Sequence, residues 1–183
     1  MSVKLITDRL IITTADESYA QGLAEYYSKN REWFEEFEFT HQEAYYTPEY
    51  QLRSLQYEMA ETEKKQNIYY YVFPKEDPKT VIGTLSYSRL RPLPYLSTVF
   101  GYDLGHDYWG KGLMKEACLA TMEEIFGTYG MHRIEARVSP ANIRSIYLLE
   151  RMGFVLEGVE YKSVQVRGEF RDHLRYAKIS DRK

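Results

Sequence analysis

Cysteine is nearly absent from this sequence: its 183 residues include one, Cys118. A single cysteine excludes an intramolecular disulfide and a zinc site built from several cysteines. Cys118 falls on the apolar side of a predicted helix, so we expect a buried thiol and not a nucleophile. The N-terminal segment MSVKLITDRL has no signal-peptide core. Together these features predict a protein of the reducing cytoplasm.

Long apolar runs and an excess of basic charge are missing as well. No uncharged apolar stretch approaches the roughly 20 residues of a membrane-spanning helix, so no membrane association is expected. The formal net charge is -3 at pH 7, whereas nucleic-acid-binding proteins normally carry a basic excess, so no direct nucleic-acid binding is expected. The sequence has no obvious cluster of metal ligands, and we expect no metal. It does not distinguish a monomer from a homodimer.

Apolar and aromatic residues, in contrast, are plentiful. Hydrophobic residues make up 44% of the chain and tyrosine alone contributes 18 residues. A tyrosine can bury its ring and keep its hydroxyl hydrogen-bonded, which suits either strand packing or a wide, partly polar pocket. The length suits one domain, and no repeat or linker divides the chain. We therefore expect a single domain over residues 1–183.

The spacing of apolar residues and the turn residues predict a mixed α/β (α+β) chain. Strands are predicted at 3–14, 68–73, 81–89, 97–104, 133–138, 154–166 and 170–179. Helices are predicted after Asp16, from Thr47 to about Gln66, after Gly112 and at 141–152. The directly successive strands in the middle of the chain are typical of an antiparallel meander.

A glycine loop, Trp109-Gly110-Lys111-Gly112, separates one of these strands from the helix that follows. Glycines let the backbone turn tightly and approach a ligand, and the N-terminus of a helix binds phosphate. The loop lacks the Gly-Lys-Ser/Thr ending of a P-loop and the third glycine of a dinucleotide-binding fingerprint. It is therefore either a different phosphate-binding loop or a plain turn.

A second motif lies downstream, where Asn142 and Ser145 stand three residues apart near the start of a helix. This spacing places both side chains on one helical face. A carboxamide can pair with the amide groups of a pantetheine arm, but Asn142 can also simply cap the helix. The glycine loop and this motif are the two candidate parts of one site.

The two motifs together resemble the Gcn5-related N-acetyltransferase (GNAT) superfamily, with its Arg/Gln-x-x-Gly-x-Gly/Ala, Asn-x-x-Ser/Ala and Gly-Phe signature. The resemblance covers nearly the whole chain and is greatest to the bacterial ribosomal-protein-alanine N-acetyltransferase (Rim-type) branch. It is carried by the segments LITDRL, AEYYSKNREWF, YWGKGLMKEA, HRIEARVSPANIRS, LLERMGF and GEFRDH. The chain departs from the pattern at Trp109, at Met114 and at Leu149, where many members carry a tyrosine acid.

The resemblance implies a mostly antiparallel mixed sheet of about six to seven strands and about four helices, with a V-shaped splay between strands 97–104 and 133–138. It also implies acetyl-CoA as co-substrate. The coenzyme-binding residues it implies are Phe100, Gly101, Tyr102, Leu104, Trp109, Gly110, Lys111, Gly112, Leu113, Met114, Lys115, Asn142 and Ser145. Backbone N–H groups around Phe100 to Tyr102 would stabilise the oxyanion of a tetrahedral intermediate.

The catalytic groups are less defined. Ser145 is the candidate to protonate or hydrogen-bond the leaving thiolate, or it only binds coenzyme. Glu38, and less so Glu36, is the candidate base, or these carboxylates only attract a basic acceptor. Tyr147 lies on another helical face and is expected in the core.

Three functions are compatible with these residues. The first is acetylation of a protein N-terminus, with a ribosomal protein favoured, because an α-amino group loses its proton more readily than lysine. The second is acetylation of a small amine such as a polyamine or an aminoglycoside. The third is a non-catalytic acyl-CoA-binding assembly or sensor protein, suggested by the missing tyrosine acid.

Overall fold

The computed structural model describes residues 3–38 and 40–181, which form one eight-stranded sheet with helices on both faces. The strands are β1 (Lys4–Ile6), β2 (Leu10–Thr14), β3 (Ile68–Pro74), β4 (Gly83–Arg91), β5 (Ser97–Leu104), β6 (Arg133–Val138), β7 (Val155–Val166) and β8 (Glu169–Ile179). The helices are α1 (Ala20–Phe34), α2 (Pro48–Glu63), α3 (Leu113–Gly127) and α4 (Ile143–Arg151). The prediction of one domain over 1–183 also covers residues 1, 2, 39, 182 and 183, which lie outside the described residues.

The sheet order is β1-β2-β3-β4-β5-β6-β8-β7, and every neighbouring pair is antiparallel except β5 and β6. Eight strands replace the six to seven expected because segment 3–14 folds as a hairpin. The Thr7 N–H donates to the Leu10 carbonyl at 3.0 Å and closes this turn. Leucine, isoleucine and threonine stand on both sides of the turn, so its residues do not interrupt the strand pattern.

Two hydrophobic cores lie on opposite faces of the sheet. The larger core joins the sheet to α3 and α4, and the smaller core joins it to α1 and α2. Strand β3 belongs to both, because Tyr70 and Val72 face the larger core while Tyr71 and Phe73 face the smaller one. A strand buried on both faces reads as the continuous apolar run observed at 68–74.

Side-chain caps fix the helix starts near the places predicted for them. Thr47 accepts from the Tyr50 N–H, and Pro48 occupies the first turn of α2, where a missing N–H is harmless. Asp16 accepts from the Ser18 N–H and caps a short 3-10 turn that leads into α1. Helix α2 ends at Glu63, earlier than the predicted Gln66. No described helix is both long enough and apolar enough to cross a membrane.

The predicted splay lies between β5 and β6. The two strands pair in parallel from Ser97↔Arg133 to Phe100↔Ala136. Beyond Phe100, β5 continues to Leu104 alongside β4, but no further pair with β6 forms among these described residues. Backbone groups on one edge of β5 are therefore open at the centre of the sheet.

Candidate active site

The glycine loop begins where β5 ends and leads directly into α3. Gly110 has φ 73° and Gly112 has φ 74°, a left-handed backbone that favours glycine. A Cβ at Gly110 would meet nothing within 4 Å, so the loop surface is open to a ligand. Gly112 is the N-cap of α3 and makes no side-chain cap hydrogen bond. The first N–H groups of this helix remain suited to binding an anion.

Side chains of α1, of the β1–β2 turn and of the loop itself hold the segment from His106 to Gly112. The buried amide of Asn30 in α1 accepts from the His106 N–H at 2.8 Å. The indole of Trp109 donates to the Leu104 carbonyl at 2.8 Å. Arg9, from the turn between β1 and β2, donates to the Lys111 carbonyl at 2.8 Å. The loop conformation is thus set before any ligand binds.

The Lys111 side chain makes its contacts within the loop itself. Its ammonium donates to the Asp107 carbonyl at 2.8 Å and lies over the Tyr108 ring, so it is tied within the loop. Lys111 is absent from the lining of the adjoining cavity, whereas Lys115 is part of it. Of the two lysines expected to bind coenzyme, Lys115 therefore borders the cavity, whereas the role of Lys111 stays a prediction.

A cavity of ≈ 530 Å³ opens in front of the loop, between β5, α3 and α4. Ten of the predicted coenzyme-binding residues line it: Tyr102, Leu104, Trp109, Gly110, Gly112, Leu113, Met114, Lys115, Asn142 and Ser145. Gly101 lines a neighbouring cavity instead. The Phe100 ring is 3% exposed and stacks between Tyr87 and Phe154 in the core, so only its backbone is near the splay.

Aromatic rings and a guanidinium form one wall of this larger cavity. Trp33 stacks on His106 at 4.1 Å and meets the edge of Trp109 at 5.5 Å. Arg144 lies over the Trp109 ring, 3.8 Å from its centre. Trp109 thus stands at the family's Arg/Gln position and supports an arginine supplied by α4. Arg144 is a positive group facing the cavity that the sequence motif contains but does not single out.

A second cavity of ≈ 330 Å³ lies on the other side of the splay. Small side chains line much of it, including Thr84, Ser86, Gly101 and Ser139. Six residues border both cavities: Phe37, Glu38, Tyr102, Asp103, Asn142 and Ser145. The candidate catalytic residues therefore stand where the two spaces meet.

Ser145 lies at this junction with a hydroxyl partner from β5. Its Oγ is 2.6 Å from the Tyr102 hydroxyl, and its N–H donates to the Asn142 side-chain oxygen at 3.1 Å. Asn142 therefore caps α4, which leaves its amide NH₂ for another partner. Burial raises the pKa of Tyr102 and outweighs the opposing effect of the bond to Ser145, so the phenol stays a neutral donor.

Glu38 reaches the same junction and is hydrogen-bonded to Asp103 of β5. Burial raises the pKa of both carboxyls, and the neighbouring charge of Asp103 raises that of Glu38 further. Two carboxyls in such contact share a proton near neutral pH. Glu36 borders neither cavity. The candidate base is thus a pair of carboxyls, Glu38 and Asp103, and not a single glutamate.

Several residues that line the cavities were not predicted from the sequence. Asp103 lies within the strand predicted at 97–104, and a charged residue in a strand was the only feature that could have drawn attention to it. Trp33, Phe34 and Phe37 come from the end of α1 and the segment after it, where no period was visible. Tyr147 was expected in the core, but it is 56% exposed, borders the larger cavity and lies under Arg151. Leu149 is the only fully buried residue of the short helix α4, and Tyr147 lies on a face of this helix that borders the cavity.

A family model described as an acetyltransferase (GNAT) domain matches residues 9–155. This chain belongs to the GNAT acetyltransferase family. It is therefore an enzyme that transfers an acetyl group to an amine. The predicted GNAT fold is confirmed, since solved GNAT structures superpose on nearly the whole chain.

Relatives of this GNAT enzyme have named acceptors. The [ribosomal protein uS5]-alanine N-acetyltransferase of Escherichia coli (strain K12) is 33% identical over 173 residues, or 94% of this chain and 88% of the relative. The crystal structure of ribosomal-protein-S5-alanine acetyltransferase from Vibrio fischeri has a TM-score of 0.93 at 30% identity, covering 98% of this chain and 97% of that one. RimL, a ribosomal L7/L12 alpha-N-protein acetyltransferase solved with coenzyme A, shares the fold, with a TM-score of 0.87, 22% identity and 99% coverage of both chains.

Proposed function

We propose that this GNAT enzyme acetylates the N-terminal α-amino group of a protein in the cytoplasm, with a ribosomal protein as the favoured acceptor and acetyl-CoA as donor. The observation that carries the proposal is the pair of cavities that meet at the Glu38–Asp103 and Tyr102–Ser145 contacts. The larger cavity suits the coenzyme and the smaller one the acceptor. The full-length similarity to uS5-alanine acetyltransferases supports a protein N-terminus.

The coenzyme half of the site is mostly backbone. Gly110 and Gly112 let the chain approach a pyrophosphate closely, and the N-terminus of α3 supplies N–H donors. Arg144 and Lys115 add positive charge at the cavity wall. The NH₂ of Asn142 and the open edge of β5 can pair with the amide groups of the pantetheine arm, as a neighbouring strand would.

The same open edge of β5 stabilises the tetrahedral intermediate of the reaction. Attack of the amine nitrogen on the thioester carbon places negative charge on the former carbonyl oxygen. A fixed backbone N–H on β5 beyond Phe100 donates to this oxyanion without having to reorganise. Because the thioester is already activated, collapse of the tetrahedral intermediate breaks the C–S bond and needs no covalent enzyme intermediate.

The amine must be neutral when it attacks. An α-amino group with a pKa of 7.7–8.0 is roughly one-tenth neutral at pH 7, whereas a lysine near 10.4 is only about 0.04% neutral. The ionised member of the Glu38–Asp103 pair takes the proton that the amine releases. The small residues around the second cavity favour a first residue such as alanine or serine.

The leaving thiolate meets the paired hydroxyls of Ser145 and Tyr102. Both groups are weaker acids than a thiol, so a hydrogen bond to the sulfur is favoured over complete proton transfer before the C–S bond breaks. Either hydroxyl can donate while it accepts from the other. The pair thus fills the role that the buried Leu149 cannot.

A small cationic amine is the second candidate acceptor. The Glu38–Asp103 pair carries net negative charge after losing one of its two protons, and it would attract a polyamine ammonium as well as a protein N-terminus. Peptide and polyamine acceptors therefore have to be compared directly.

The deciding experiment measures thiol release from acetyl-CoA with each acceptor class. We expect turnover with peptides that begin with alanine or serine, and acetylation at the N-terminus by mass spectrometry. The matched control is the same peptide with its α-amino group blocked and a lysine left free. Acetylation only at lysine, or only of a polyamine or aminoglycoside, would contradict the proposal.

A further inference from the structure

The turn between β1 and β2 contacts the glycine loop through Arg9, which does not border the larger cavity. Arg9 donates from Nε to Glu116 at 2.7 Å, and its Nη2 lies 2.7 Å from the same carboxylate. Its third nitrogen, Nη1, donates to the Lys111 carbonyl. The Arg9 N–H and the Thr7 hydroxyl also donate to Glu116, at 2.9 and 2.6 Å. This Arg9–Glu116 clamp joins the chain start to the first turn of α3.

Peptide geometry connects the clamp to the cavity. The Lys111 carbonyl and the Gly112 N–H belong to one planar trans peptide, so they point in opposite directions. Holding the carbonyl towards Arg9 therefore turns the Gly112 N–H away from Arg9. Gly112 borders the larger cavity and Arg9 does not. A glycine at this position would otherwise rotate freely between several backbone conformations.

We propose that Arg9, fixed by Glu116, is a positioning residue that aims the Gly112 N–H at the coenzyme pyrophosphate. This inference rests on the proposed coenzyme site. It gives a role to the Arg9 of the LITDRL segment, far from the loop in sequence. A preset N–H binds without the entropic cost of ordering the loop.

A purely electrostatic role for Arg9 makes the opposite predictions. If its charge attracted the phosphates directly, lysine would replace it, and removal of the competing Glu116 carboxylate would tighten binding. In a positioning role, lysine fails because one ammonium cannot hold Glu116 and the Lys111 carbonyl in the same planar fork. Loss of the Glu116 charge then weakens binding because Arg9 is released.

The test compares Arg9→Lys and Glu116→Gln with the unchanged enzyme in steady-state kinetics and in calorimetric titration with coenzyme A. We expect both variants to raise KM for acetyl-CoA about tenfold, equivalent to about 1.4 kcal/mol, while kcat and the acceptor KM stay within about twofold. Arg91→Lys is the control, because Arg91 is 44% exposed in an ion pair outside both cavities and Arg9 is 49% exposed.

The outcomes separate this inference from the proposed function. If the unchanged enzyme does not bind coenzyme A, both are overturned. If it binds and Arg9→Lys binds equally, or Glu116→Gln binds more tightly, only the clamp is overturned. A loss of kcat without a rise in KM for acetyl-CoA would contradict positioning, and an equal rise in KM in Arg91→Lys would show a general effect on the fold. If Arg9→Lys does not fold, Glu116→Gln alone decides by the direction of its change.

Discussion

At the scale of single residues, the carboxyl pair changes how the acceptor half of the site works. A lone Glu38 would ionise in a single step, with a pKa that burial by itself already raises. In contact with Asp103, the two groups hold one proton between them, and burial raises the pKa of each. The singly protonated pair keeps one negative charge, so it can still accept the proton that the amine nitrogen releases on attack. Its state depends on both residues, whichever one carries the charge.

The pair predicts a shift in the pH profile of Asp103→Asn. Removing the Asp103 charge lowers the pKa of Glu38, because that charge is one of the causes that raise it. The pH profile of kcat/KM should then lose the upper of the pair's two ionisations, because only one carboxyl remains to titrate. The same peptide is used throughout, so the titration of its own amine cancels in the comparison.

Asp77→Asn, in the turn between β3 and β4, is the control for this prediction and should leave the profile in place. Glu38→Gln should lower kcat/KM by about 10²-fold or more, the usual contribution of a positioned base. An Asp103→Asn profile that matches the unchanged enzyme would show that the two carboxyls act independently.

At the scale of elements, β5 and α4 meet through the Tyr102 and Ser145 hydroxyls. Substitution of either residue should lower kcat by about ten- to a hundredfold, the effect of losing a hydrogen bond to a charged group. Ser145→Ala and Tyr102→Phe are the variants, and thiol release at saturating acetyl-CoA is the measurement. Tyr147→Phe, on the wall of the same cavity, is the control. A rise in KM with unchanged kcat would instead make Ser145 a coenzyme ligand only.

The elements themselves follow closely from local chemistry. Asp16, Thr47 and Asn142 start their structures where capping predicts, because a cap satisfies donors within a few residues. The β1–β2 turn and the exposure of Tyr147 were missed because they depend on contacts made later in the chain. Arg9 sits in that turn, yet its partners Lys111 and Glu116 are more than 100 residues away. No spacing rule connects residues so far apart.

The distinction between local chemistry and long-range contacts also applies to the two halves of the site. The lining of the larger cavity could largely be predicted because glycine and helix-start chemistry is local, and ten of the expected coenzyme-binding residues border it. In the acceptor half the sequence offered Glu38 but not its partner, since Asp103 comes from a separate segment and only the fold brings the two together. Asp103 alone, inside a strand, predicts nothing more than an exposed edge.

At the scale of the whole molecule, one half-buried glutamate, Glu58, links stability to pH. Glu58 of α2 accepts from Tyr71 and Ser54 on the smaller core. Burial raises its pKa to about 7, against the effect of those hydrogen bonds. The folded state therefore binds a proton more tightly than the unfolded state. The contribution of neutral Glu58 to the free energy of unfolding is fully present below the ordinary carboxyl pKa. It is lost as pH rises through about 7.

Glu58→Gln should remove this loss. We expect the variant to be more stable than the unchanged enzyme at pH 8 by up to about 3 kcal/mol, from 1.36 kcal/mol per pKa unit, with the difference shrinking towards pH 4. Urea unfolding at several pH values measures it. Glu63→Gln, exposed on the same helix, should show no such pH trend. A difference that is constant with pH would reject the assignment of the effect to Glu58 ionisation.

The burial of Cys118 has a practical consequence at the bench. This thiol is 0% exposed within the larger core, and it is the only cysteine in the sequence. A thiol-reactive dye therefore finds no reactive group on the folded enzyme, and colour in a turnover assay comes from released coenzyme alone. On unfolding, each molecule exposes one thiol. The same dye, without acetyl-CoA, becomes a stoichiometric counter of unfolded protein for every variant described above.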